Sequence, residues 1–365
     1  MPLVAWGEPL PSLVLPGISN PRYALGSVAG RWTALLFLPR GAGFDGAALE
    51  AAVAGIRARL DDVFGVLFVV APRAEDLTNG PMRDSLPGIR VLADPDGEAL
   101  ASLGGDPAAG AVILADPTHR VLASGPLAEA PAILGALSRL PPPERHAGME
   151  VMAPVLVLPR LLEPGLCRKL IELYETGGGK PSGFMREVNG KTVGTSDPGF
   201  KRRSDHDIAD QDVLNALQRR LKRRLVPAIR QAFQFEATRI ERFIVACYDA
   251  AEGGFFRAHR DNTTRGTAHR RFAVTVNLNS EEFEGGELRF PEFGTRLYRA
   301  PTGGAVVFSC SLLHEATPVT QGRRYAFLPF LYDEEGARIR QENLGFLAGN
   351  EVLGAEGTGE PVRAA

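Results

Sequence analysis

Within Gly253–Asn262, GGFFRAHRDN, a histidine and an aspartate stand two residues apart, His259 and Asp261, directly after a pair of glycines. In a strand, residues i and i+2 share a face, so an imidazole and a carboxylate would lie side by side. Taken alone the pair is weak, because a satisfied surface pair arises by chance in a chain this rich in acidic residues. His314, fifty-three residues after Asp261, changes the weight. Two imidazoles and one carboxylate on a barrel wall are the donor set that holds non-haem Fe(II) and leaves coordination positions open. Ten residues further on, Arg324 opens an apolar run, where an unpaired guanidinium is costly to bury. It makes sense opposite an anionic ligand, because its planar fork takes a carboxylate through two hydrogen bonds.

These residues need a rigid wall. From Arg242 onward ERFIVACYD, RRFAVTVNLN, GGELRFP, GGAVVFS and RRYAFLPFLY are short β-like runs separated by Gly or Pro turns. Two amphipathic helices precede them. One is PGLCRKLIELYETGGG; the other is DQDVLNALQRRLKRRLVPAIRQAF, with Leu214, Leu217, Leu221 and Leu225 along one face and its basic residues on the solvated side. Helices followed by an antiparallel sheet predict a helix-supported jelly roll. In FAVTVNLN the face Ala273, Thr275, Asn277 is small and polar. It faces either a site inside the barrel or solvent.

Residues 1–140 read differently. TALLFLPR, FGVLFVVAPR and IRVLADPDG are buried-strand runs, and AAGAVILADPTHRVLAS is a hairpin turning at Asp116-Pro117-Thr118. DGAALEAAVAGIRARLDD, capped by Asp45, EALASLGG and EAPAILGALSRL are helices, which makes this region α/β. Residues 141–151, with three consecutive prolines, are the expected linker, 152–335 the second domain and 336–365 a frayed tail.

Composition narrows the functional classes. A net charge of −2 argues against a general nucleic-acid binder. Three scattered cysteines, Cys167, Cys247 and Cys310, exclude a disulfide framework and a cysteine-based zinc cluster. The start, MPLVAWGEPLP, has neither a basic leader nor a long apolar run, so no signal peptide or membrane anchor is expected and a cytoplasmic setting is.

Two resemblances follow. GEPLPSLVLPG, LLFLPR, ADPDGEALASLGG and AVILADPTHRVLAS resemble the peroxiredoxin branch of the thioredoxin fold. That family places its attacking thiolate in the loop after the first long strand, where this chain has GAGFDG. Without a cysteine before Cys167, thiol chemistry is closed to this domain. The run from Tyr248 to Tyr332 resembles the catalytic core of Fe(II)/2-oxoglutarate dioxygenases, in particular the prolyl 4-hydroxylase-like branch. The residues that carry it are Tyr248, His259-Arg260-Asp261, EGGELRFPEFG, PTGGAVVF and LLHEATPVTQGRR.

The resemblance implies a double-stranded β-helix in which His259, Asp261 and His314 ligate iron. It also implies that Arg324 binds the distal carboxylate of 2-oxoglutarate, with Arg323 as competitor. Tyr248 would bond the cosubstrate, unless it is a core tyrosine with its hydroxyl at the rim. KRRSDHDI resembles the stretch bordering the family's substrate groove, which gives Arg203 a substrate role; otherwise the segment caps a helix. Thr275 and Asn277 are further candidates for substrate binding. The implied activity is hydroxylation of an unactivated C–H with Fe(II), 2-oxoglutarate and O2, on a prolyl or other residue of a peptide or protein or on a small molecule. The first domain would serve as an adaptor that recruits substrate, shields the site or mediates homodimerisation. The alternative is a two-domain scaffold without activity.

Overall fold

The computed structural model describes residues 2–41, 46–79 and 83–348. It divides into two compact units, 1–153 with 290–296 and 154–289 with 297–365, so the proline run at 141–143 is grouped with the first. Asp45 and the stretch GAEGTGEPVRAA lie outside the described residues.

In the first unit, β1 (Trp32–Phe37), α1 (Gly46–Ile56), β2 (Gly65–Ala71), β3 (Ile89–Ala93), α2 (Glu98–Ser102), β4 (Ala111–Ala115), β5 (Val121–Pro126) and α3 (Ala130–Ala136) follow one another. The sheet runs β3-β2-β1-β4-β5, with the first three strands parallel and β4 and β5 antiparallel. β1, β2 and β4 are buried along their whole length. That is why they read as continuous apolar runs instead of alternating ones. The hairpin turns where expected, because Asp116 Oδ1 accepts from the Thr118 and Arg120 amides at 2.8 and 3.0 Å.

In the second unit, β6 (Leu156–Leu158), α4 (Pro164–Gly177), β7 (Lys201–Arg202), β8 (Ser204–Asp207), α5 (Gln211–Arg220) and α6 (Val226–Phe233) come first. Then follow β9 (Ile244–Asp249), β10 (Phe255–His259), β11 (Phe272–Asn277), β12 (Leu288–Arg289), β13 (Ala305–Ser309), β14 (His314–Ala316), β15 (Val319–Phe327), β16 (Phe330–Tyr332) and α7 (Glu334–Asn343). The larger antiparallel sheet contains β6-β13-β11-β15-β9-β8, with β16 continuing β15 beyond Pro329. The smaller one contains β7-β10-β14-β12. Two antiparallel sheets carrying the chain back and forth give a jelly roll.

The helices cover the outer face of the larger sheet. Leu217, Leu221 and Leu225 are fully buried against Phe272, Val274 and Val276, and each such side chain contributes roughly 1.5–3 kcal/mol. The expected single helix is broken by a π-type turn at Leu221–Leu225. Pro227 has no N–H to give the turn behind it, and the widened turn just before it absorbs the loss.

Two expectations are corrected. Residues 334–343 form α7, not part of a frayed tail: Asp333 caps it by accepting from the Gly336 amide at 2.8 Å, and Glu334 and Glu335 occupy its first turn. KRRSDHDI caps no helix. It forms β7 and β8, and the cap of α5 is Asp210. Among the described residues no helix is long and apolar enough to cross a membrane.

Candidate metal centre

The smaller sheet builds the centre by register. His259 on β10 pairs directly with His314 on β14, which puts the two imidazoles side by side with centroids 4.3 Å apart. The turn into β10 requires glycine. Gly253 has φ +62°, and a Cβ on Gly254 would lie 2.7 Å from the Asp249 amide nitrogen. Asp261 is not on the strand with His259 as the two-residue spacing predicted. β10 ends at His259, and Asp261 sits in the following turn, anchored by its amide to the Cys310 carbonyl at 3.0 Å. Its carboxylate still faces both imidazoles, with Oδ1 3.5 Å from His259 Nε2 and Oδ2 3.3 Å from His314 Nε2.

The ring orientations are set from behind. Nδ1 of His259 faces the Arg257 carbonyl at 2.7 Å, and Nδ1 of His314 faces the Leu312 carbonyl at 3.0 Å. A carbonyl only accepts, so each Nδ1 carries the proton and each Nε2 presents a lone pair toward Asp261. Phe256 stacks on His259 at 3.6 Å and Phe308 packs against His314 at 4.5 Å. One donor atom from each of His259, Asp261 and His314 fits within 4.8 Å of the others. Burial works to raise the Asp261 carboxyl, but His314 and His259 outweigh it and hold it well below the usual carboxylate range. Burial, then the neighbouring His259, pushes His314 down to about 4. Asp261 and His314 are therefore in their metal-binding protonation states at neutral pH, and the donor set of two imidazoles and one carboxylate fits Fe(II).

The larger sheet supplies the second feature. Alternation on β15 sends Arg324 inward, 2% exposed, and Arg323 outward to Asp249 and Glu175 at 2.7 and 3.5 Å. Among the described residues no carboxylate pairs with Arg324. Its Nε donates to Asn277 Oδ1 at 3.4 Å, and its guanidinium lies 5.1 Å from the centre of the Tyr248 ring. Burial lowers its pKa from the ordinary arginine value. Gly286, at φ +70°, leaves room for it, since a Cβ there would approach Arg324 Cδ to 3.0 Å.

Asn277 and Thr275 are buried within the barrel, so the solvated reading of that face is excluded. The Asn277 amide donates to the Ala300 carbonyl at 2.9 Å, which turns its oxygen toward Arg324. Tyr248 is buried, and its hydroxyl accepts from Arg203 Nη1 at 3.4 Å. Arg203 lies where the chain passes from β7 to β8, ion-paired to Asp205 at 2.6 Å. Sequence reasoning missed a buried group beside the centre. Glu241 accepts from Arg270 Nη2 at 2.6 Å and pairs with His269 Nε2 at 2.7 Å, and Arg270 donates to the Asp261 carbonyl at 3.4 Å. The signal was the polar run His269-Arg270-Arg271 leading into an apolar strand.

Residues 243–332 match the model of the 2OG-Fe(II) oxygenase superfamily. Over 91 residues the chain is 36% identical to a PKHD-type hydroxylase of Pseudomonas fluorescens, covering 23% of this chain and 39% of that one. Over 119 residues it is 28% identical to a PKHD-type hydroxylase of a Synechococcus species, covering 30% of this chain and 52% of that one. The chain thus spans about half or less of these relatives' own length. The crystal structure of a Pseudomonas putida prolyl-4-hydroxylase covers 50% of this chain and 93% of its own at 18% identity; its TM-score of 0.38 is too loose a likeness to carry any inference.

Proposed function

We propose that the chain is an Fe(II)- and 2-oxoglutarate-dependent dioxygenase, with His259, Asp261 and His314 as the iron ligands. The observation that carries this reading is the convergence of two Nε2 lone pairs on the Asp261 carboxylate, each fixed by a backbone carbonyl behind its ring. When bound, Fe(II), 2-oxoglutarate and O2 supply the oxidising chemistry: the cosubstrate is decarboxylated to succinate and a substrate C–H is hydroxylated.

The protein's part is to position and to exclude water. Arg324 receives the far carboxylate of the cosubstrate, for which no carboxylate among the described residues competes, and Asn277 and Tyr248 hold its guanidinium in place. Phe256 and Phe308 wall the imidazoles from solvent. Arg203, held by Asp205 and bonded to Tyr248, stands where a substrate would pass. The substrate is read as a residue of a peptide or protein, with proline favoured by the resemblance of residues 248–332 to the prolyl 4-hydroxylase-like branch.

The first unit is read as thioredoxin-like, supported by its strand order, but without thiol chemistry because no cysteine precedes Cys167, and as an adaptor for substrate or for a second copy of the chain. Three free, buried cysteines are in keeping with the cytoplasm.

Anaerobic titration of metal-free protein with Fe(II) and then 2-oxoglutarate tests the reading. The parent should develop the visible charge-transfer band of the chelate and His314→Ala should not. A folded parent without the band would sink it.

A further inference from the structure

Among the described residues, Lys201, Arg203, Arg242, Arg270 and Arg324 are cations near the centre with little or partial exposure. Arg203 is matched by Asp205 and Arg270 by Glu241. On the reading above, on which this inference rests, Arg324 is matched by the cosubstrate. A divalent metal, the Asp261 carboxylate, a dianionic cosubstrate and Arg324 together sum to neutrality. Lys201 and Arg242 are left over.

Neither has an anion of its own among the described residues. Lys201, 6% exposed, sits 4.8 Å from the centre of the Phe256 ring, the ring that stacks on His259. Two of its three protons go to neutral oxygens, Ser182 Oγ at 2.7 Å and the Gly183 carbonyl at 2.5 Å. Arg242 has a buried Nε without a hydrogen-bond partner. Its guanidinium lies 4.7 Å from the centre of the Phe330 ring, against which Arg270 also packs at 4.1 Å. The Arg242 backbone is left-handed, at φ +68°, in a residue other than glycine. A buried ammonium and a partly buried guanidinium without counter-charge are costly unless something else brings it.

We infer that Lys201 and Arg242 are the subsite for a carboxylate of the substrate, so that the enzyme acts on a carboxylate-bearing molecule. The remaining Lys201 proton and the partnerless Nε–H of Arg242 are the donors assigned to that carboxylate. Burial, followed by Arg203 and Arg242 and against Asp205 and Asp261, pushes the Lys201 ammonium well below its ordinary value. An anion placed beside it reverses that imbalance.

The carboxylate could come from a small acid or from an acidic residue of a peptide, and matched probes separate the two. The full chain, loaded anaerobically with Fe(II) and saturating 2-oxoglutarate, is titrated calorimetrically. The probes are N-acetylproline against N-acetylprolinamide, and blocked Gly-Pro-Asp against blocked Gly-Pro-Asn. The chelate band is followed throughout: its absence would sink the oxygenase reading itself, and its retention shows that a probe has not displaced the cosubstrate. With the band intact, at least one acid should bind tenfold or more tightly than its neutral partner, and whichever pair shows it identifies the source. Lys201→Met and Arg242→Met, each keeping the band, should cut that preference to threefold or less. No acid preferred over its amide in the parent, or a preference unchanged in both variants, overturns the inference.

Discussion

Replacing Arg324 by methionine should weaken cosubstrate binding strongly while leaving the free protein as stable as before, or more so. The side chain is 2% exposed, and its one hydrogen bond, to Asn277, is long at 3.4 Å. In the metal-free, ligand-free protein its removal forfeits that bond and a cation–π contact of about 1–2 kcal/mol with Tyr248. It also lifts the cost of burying an unpaired guanidinium, and methionine refills most of the volume. Replacement of buried charge by apolar side chains is often neutral or stabilising, here by about 0–3 kcal/mol. At about 2–4 °C per kcal/mol, the melting temperature should stay level or rise by up to about 10 °C.

For 2-oxoglutarate the balance is reversed. Removing one partner of a buried charge pair costs about 2–5 kcal/mol, which is a dissociation constant raised about 30- to 3,000-fold. Scanning calorimetry on the apo-protein and anaerobic titration of the charge-transfer band read the two effects separately. A fall of more than about 5 °C in melting temperature, or an affinity within threefold of the parent, would refute the assignment of Arg324 as a ligand residue and make it a structural one.

Three further outcomes are expected. Fe(II) or Mn(II) at a hundredfold over its dissociation constant should stabilise the protein by about 2.7 kcal/mol; a rise of about 5–10 °C in melting temperature should be seen in the parent and not in Asp261→Ala. Glu241→Gln should cost about 3–5 kcal/mol at neutral pH by stranding Arg270 and His269. Burial works to raise the Glu241 carboxyl, but Arg270 and His269 hold it well below its ordinary value, so this stability is present above the ordinary carboxylate range and lost progressively as pH falls below that range toward the depressed folded-state value. An acid denaturation series in which parent and variant stay equally far apart below pH 4 would contradict that. Finally, burial raises the Cys167 and Cys247 thiols to about 11 and Cys310 well above its ordinary value. An aromatic disulfide should therefore find no reactive thiol in the folded protein at pH 8 and three in denaturant; a fast-reacting native thiol would reopen redox chemistry.

The contrast between what was legible in the residues and what was not has one physical root. Types and spacings that serve chemistry survive as text: His259, Asp261, His314 and the Arg323–Arg324 pair could be picked out before any fold was known. The preference for Arg324 over Arg323 comes from the family resemblance, and its inward direction only from the fold. Asp261 shows the limit of such spacing, since it reaches the imidazoles from a turn and not from the strand. Direction is a different matter. The period of β11 put Thr275 and Asn277 on one face, but only the covering helices decide that this face is the inside. α7 was missed because it is polar all round and is held by the Asp333 cap instead of by an apolar stripe. The same blindness hid charges that burial makes informative. Lys201 and Arg242 stand among other basic residues and draw no notice in the sequence, the usual fate of such residues. Arg203 is singled out only through the resemblance of KRRSDHDI to a substrate-groove stretch. Lys201 and Arg203 become informative because the chain passes from one sheet to the other at Arg203, burying both side chains beside Asp205, which pairs with Arg203. A sequence records how many charges a chain carries. Which of them lack a counter-charge is a property of the fold, and here the surplus lies near His259, Asp261 and His314, where the proposed substrate carboxylate would supply what the protein does not.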